Sequence, residues 1–144
     1  MRGMCTEEKY RRWLIRKAMA HVRRDRARGR LDATGRAYRA AIHAAVIRSC
    51  GRDEYTGRRL DWSRISKYDN ASSKAGRTRY KHRFRNLPTV DHEGSGVAAP
   101  LFAICAWRTN DAKHDLTYKD FVALCSDVLA HRRRSVLHRQ GGRR

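Results

Sequence analysis

Two short apolar runs constrain this chain most. Leu87–Val90 and Leu101–Trp107 suit strands, and Gly94-Ser-Gly96 between them opens a loop. Apolar runs of this length bounded by Gly or polar residues read as buried strands. The polar stretch Arg108–His114 that follows has no Gly or Pro to prevent a helix. The expected order over Leu87–Leu116 is strand, loop, strand, helix. That order can bring Asp91, His92 and Asn110 together, although Asp91 and Asn110 stand 19 residues apart.

Most of the remaining chain is patterned for helix. Thr6 can cap a helix whose first turn holds Glu7 and Glu8, where the helix dipole favours acids. Tyr10, Trp13, Leu14, Ala18 and Val22 form its apolar face, Arg and Lys cover much of the rest, and Gly29 marks its end. A second helix runs from Thr34 to Cys50, with Tyr38, Ala41, Ile42, Ala45 and Val46 as a core stripe. Gly51 can terminate it. Tyr55–Leu60 reads as a turn or short hairpin around Gly57, anchored by Trp62 and Ile65. In Ser66–Asn86, Arg79, Lys81, Arg83 and Arg85 alternate with Tyr80, His82 and Phe84. That period of two suggests a basic strand or arm. A last helix begins after Leu116, with Thr117 and Asp120 as a capping box. Its stripe Phe121, Leu124, Cys125, Val128 and Leu129 is expected to close over the two strands. The tail from Arg132 is basic.

Charge decides the partner class. The chain has 144 residues, 34 Lys and Arg, 14 Asp and Glu, and a net charge of +20. Such a chain suits polyanions, nucleic acid first and anionic membrane second. Residues 1–50 carry 14 bases against 4 acids, residues 51–86 carry 11 against 4, and residues 132–144 carry 6 and none. Residues 87–131 reverse the balance, with 3 bases and 6 acids. One acidic island in a basic chain fits a divalent cation surrounded by phosphate-binding groups. It also fits an acidic helix face that neutralises its neighbours. These blocks give the expected organisation: a basic helical part (1–50), a basic connecting arm (51–86), the core with its closing helix (87–131) and a basic tail (132–144). The four cysteines form no C-x-x-C, so no zinc knuckle is written in local spacing. No apolar run approaches a membrane span, and without a signal peptide a reducing cytoplasm is expected.

Val90-Asp91-His92 followed by Cys105-Ala-Trp-Arg-Thr-Asn-Asp-Ala-Lys113 resembles the ββα-metal core of HNH endonucleases, in the variant with Asn at the helix ligand position. The resemblance covers about 30 of the 144 residues and extends weakly to Tyr55–Leu60 and Leu116–Cys125. It implies an α+β, mostly helical protein with a small ββα-metal core that hydrolyses DNA phosphodiesters. It further implies Asp91 and Asn110 as metal ligands and His92 as general base. A carboxylate and an amide oxygen suit Mg²⁺ first and Mn²⁺ second. An imidazole near its ordinary pKa can accept a proton at neutral pH. For Asp91 and His92 both to face the site, the strand end must be irregular, because neighbours on a strand point to opposite sides.

His114, four residues after Asn110, is either a third metal ligand or a residue at a place where related sequences carry Gly. Arg108 or Lys113 can neutralise the scissile phosphate, while Arg79, Lys81 and Arg83 grip the DNA backbone. The family's central Asn has no match between Gly94 and Trp107. That departure keeps open a non-catalytic nucleic-acid-binding protein with a degenerate core. An interaction module is a third reading, which expects the apolar stripes to leave a large exposed patch.

Overall fold

The computed structural model describes residues 5–93 and 100–141, with side chains described up to residue 135. The Gly94-Ser-Gly96 loop and the last three residues lie outside the described residues. The chain divides into two compact units, Met1–Ala112 and Lys113–Arg144.

The first unit opens with α1 (Glu7–Ala27). The Thr6 side chain accepts from Lys9 N at 3.3 Å, which satisfies one of the free amides of the first turn. Thr34 does the same for Ala37 N at the start of α2 (Gly35–Arg48). Cys50 and Gly51 then turn the chain through positive φ, +48° and +76°, a helix stop that Gly tolerates freely. The apolar stripes of α1 and α2 meet one another, and α2 packs on the sheet. Trp13, Ala18, Val22, Tyr38, Ile42, Ala45, Trp62, Ile65 and Ile104 are among the buried core residues. Trp13 and Trp62 pack edge to face at 5.2 Å, an arrangement in which a ring's positive edge meets the other's negative face.

The sheet has two antiparallel strands, β1 (Pro88–His92) and β2 (Phe102–Ala106). Val90 pairs with Ile104 and His92 with Phe102. A two-stranded sheet leaves the outer edge of β2 open, and side chains close it. Glu54 Oε1 accepts from Ile104 N at 2.8 Å, Asp53 Oδ2 accepts from Ala106 N at 3.0 Å, and Arg48 donates to Phe102 O at 2.6 Å. Backbone adds one bond, from Glu54 N to Ile104 O at 2.9 Å. The turn that supplies these groups is the hairpin expected around Gly57, which sits at φ +69°, with a bridge between Arg52 and Arg59. Trp62 and Ile65, each 1% exposed, anchor it. The helix α4 (Trp107–Lys113) follows β2 directly.

Residues 66–86 depart from the expected strand or arm. They contain a helix, α3 (Asn70–Arg83), capped by Asp69 through Ser72 N at 2.6 Å. The alternation of bases and rings misleads because Tyr80 and Phe84 are also four residues apart. On a helix that spacing stacks them, with ring centroids 4.9 Å apart. Arg77 breaks the helix at φ +42°, ψ −129°, so the two halves differ in direction. The preceding Gly76 has a packing reason: a Cβ there would lie 2.7 Å from Tyr80 Cβ.

In the second unit, α5 (Tyr118–Gly141) begins at the expected capping box. Thr117 Oγ1 donates to Asp120 Oδ2 at 2.6 Å and accepts from Asp120 N at 3.1 Å. Phe121, Leu124, Cys125, Val128 and Leu129 recur at helical spacing along α5. Their helical spacing specifies a face and leaves open what covers it. Among the described residues no helix is long and apolar enough to cross a membrane.

Candidate active site

Asp91 and His92 end β1, and the ladder stays regular through both, with Asp91 opposite Ala103 and His92 opposite Phe102. The irregular strand end expected above is absent, so the two side chains leave the strand on opposite sides. The Asp91 carboxylate is 8% exposed. Its Oδ2 accepts the Tyr55 hydroxyl at 2.5 Å, and its Oδ1 accepts His92 N at 2.9 Å. Burial and that carboxylate push the Tyr55 phenol well above its usual range, so it stays protonated and donates.

His92 turns toward α1. Its Nδ1 lies 3.6 Å from Asp25 Oδ1, and Asp25 is 2% exposed. The other oxygen of Asp25 accepts the Tyr38 hydroxyl at 2.5 Å, which fixes the carboxylate. Burial lowers the His92 pKa; Asp25 opposes the shift, while Arg24, Arg28 and Arg30 add to it. The imidazole is therefore neutral at pH 7. A carboxylate on the Nδ1 side favours the tautomer with its proton there and leaves Nε2 as the base. His21 stands edge-on to His92 at 6.0 Å, and its Nδ1 lies 2.6 Å from an Arg24 nitrogen. Desolvation, helped by Arg24, His92 and Lys17, takes His21 down to about 3.

Asn110 is half-buried on α4. Among the described residues no hydrogen bond engages its side chain, which leaves the amide oxygen available as a ligand. The preceding Thr109 donates to Asp53 Oδ2 at 2.6 Å, while Tyr55 of the same turn donates to Asp91. One turn thus braces both elements that carry the candidate metal ligands. Asp91 and Asn110 supply hard oxygen donors that fit a magnesium-like cation, which keeps several waters and binds through few protein ligands. Among the described residues no group of three His, Cys, Asp or Glu side chains could hold a metal ion.

His114 does not continue the face of Asn110. The helix ends at Lys113, and His114 takes φ +52° with its side chain 80% exposed beside Asp115. The shared helical face expected of Asn110 and His114 is not formed, because His114 lies past the helix end. Lys113, the last residue of α4, is 5% exposed. Arg108, Arg79, Lys81 and Arg83 are exposed, the last three on the helix α3.

Asp25, His21, Tyr38 and Asp53 were not legible as site residues. One signal was present. Trp13, Lys17, His21 and Asp25 recur every four residues, so the polar trio continues a line begun by a core Trp. A His and an Asp in register with a Trp point inward. No family model, curated protein or solved structure matches this chain.

Proposed function

We propose that this chain is a divalent-cation-dependent DNA endonuclease of the HNH kind. The observation that carries the reading is the His92–Asp25 pair: a neutral imidazole held on its Nδ1 side, one residue after a nearly buried carboxylate. In this reading Nε2 of His92 takes the proton from the attacking water. Asp91 and Asn110 would hold a divalent cation, which would supply charge neutralisation for phosphodiester hydrolysis. Asp25 fixes the tautomer and favours the imidazolium once the proton arrives. Tyr55 positions Asp91. Arg108 and the exposed bases of α3 meet the DNA backbone, and no base-reading motif is evident, so recognition rests on charge.

The test is cleavage of supercoiled plasmid with Mg²⁺, with Mn²⁺ and with EDTA. His92→Ala is expected to lower the rate by about 10²–10⁴-fold, the usual worth of a general base, while still shifting DNA on a gel. Asn110→Ala is expected to raise the Mg²⁺ concentration needed. Asp25→Asn carries a sign: Asp25 raises the His92 pKa, so its loss should move the acid limb of the pH–rate profile to lower pH.

One observation favours a second reading, a nucleic-acid-binding protein with a degenerate core. The regular ladder sends Asp91 and His92 to opposite sides. DNA binding with no cutting under any metal would establish it.

A further inference from the structure

A cavity of about 70 Å³ opens between α1 and β1, away from the Asp91–Tyr55 contact. Arg16 and Lys17 of α1, Ser66 of the loop before α3 and Thr89 of β1 line it, with the indoles of Trp13 and Trp107 as walls. Its lining contains two cations, three hydroxyl-bearing residues (Ser66, Tyr68 and Thr89) and no acid. Lys17 reaches in from the helix and donates to Thr89 Oγ1 at 2.8 Å. Among the described residues no carboxylate pairs with Lys17 or Arg16. A partly buried ammonium without a counter-ion is costly to keep, and desolvation beside Arg16 lowers its pKa to about 8. Mostly aliphatic packing would serve the fold better at this point, so the charge needs another reason.

We propose that this cavity is a phosphate-binding subsite for a phosphomonoester, with Lys17, Thr89 and Arg16 as its contacts. A terminal monoester suits it better than a backbone diester. A monoester carries a second negative charge for the second cation, and only one substituent has to leave a recessed pocket. The volume holds a few waters' worth of atoms, which suits an oxyanion and excludes a nucleobase. The source is either the phosphorylated end of a nucleic-acid strand or free phosphate. The first source rests on the nucleic-acid reading above; the oxyanion chemistry does not.

The experiment is binding in EDTA, where no cleavage occurs, so its outcome is separate from that of the plasmid assay. Full-length protein is titrated with inorganic phosphate and with one short single-stranded DNA bearing a 5′-phosphate, a 3′-phosphate or hydroxyl ends. Lys17→Met keeps the aliphatic stem and removes the charge, Thr89→Val keeps the shape and removes the hydroxyl, and Lys9→Met removes an exposed lysine of the same helix as a control. Circular dichroism checks that each variant is folded. The expected result is a preference of about tenfold for one phosphorylated end, one charge-assisted contact's worth. It should vanish in Lys17→Met, shrink in Thr89→Val and persist in Lys9→Met. Inorganic phosphate binding that depends on Lys17, without an end preference, assigns the same pocket to the free anion. If neither phosphate nor any phosphorylated end binds better than the hydroxyl-ended strand, or if the preference survives Lys17→Met, the proposal is wrong.

Discussion

Asp53 is 1% exposed and accepts from Tyr55 N, Thr56 N, Ala106 N and the Thr109 hydroxyl. Each of these donors would lose a partner if the carboxylate were removed. Asp53→Ala is expected to cost about 3–5 kcal/mol in urea unfolding, because a hydrogen-bonded buried network loses its centre. A loss below about 1 kcal/mol would mean that water replaces the carboxylate. His21 makes a pH prediction. Its folded pKa, about 3, lies below the ordinary 6.5. The unfolded chain therefore binds the extra proton between those values, and stability is full above about 6.5 and falls toward pH 3. The slope from this one group approaches ~1.4 kcal/mol per pH unit. His21→Gln should flatten that part of a pH series of unfolding midpoints.

At the scale of elements, the edge of β2 and the kink in α3 carry testable consequences. Glu54 stands in for a third strand at Ile104 and also pairs with Arg48 Nε at 2.8 Å. Glu54→Ala should cost about 1–3 kcal/mol by leaving a backbone amide without its acceptor. Faster amide hydrogen exchange at Ile104 than at Val90 would locate the damage at that edge. In α3 the usual ranking of Ala over Gly should reverse. Gly76→Ala would raise intrinsic helix propensity by roughly 1 kcal/mol, yet its Cβ would lie 2.7 Å from Tyr80 Cβ. A net loss of stability is expected; a gain would show that Tyr80 moves aside without cost. Helix propensity is local and readable, whereas this contact depends on how the two halves of α3 meet.

For the whole molecule, the net charge of +20 sets the expectation for binding. Affinity for DNA should fall linearly on a log–log plot against salt, with a slope near −0.9 for each phosphate neutralised on duplex. Lys81→Ala and Arg83→Ala should each reduce that slope by about one unit if α3 lies on the DNA. An unchanged slope would move the contact elsewhere. Helices α1, α2 and α5, their caps, the hairpin at Gly57 and the strand–strand–helix order were all legible, because capping, period and Gly placement act between near neighbours. The helical nature of residues 70–83 was not, because Tyr80, His82 and Phe84 satisfy a period of two while Tyr80 and Phe84 also satisfy a spacing of four. Sequence alone determined the elements other than α3, the basic character and the positions of Asp91, His92 and Asn110. Tertiary structure alone decided that Asp25 holds His92, that Tyr55 holds Asp91 and that His114 falls past its helix. The reason is physical: pattern and charge are properties of a chain, while the partner of a buried polar group is chosen by whichever distant segment packing brings to it.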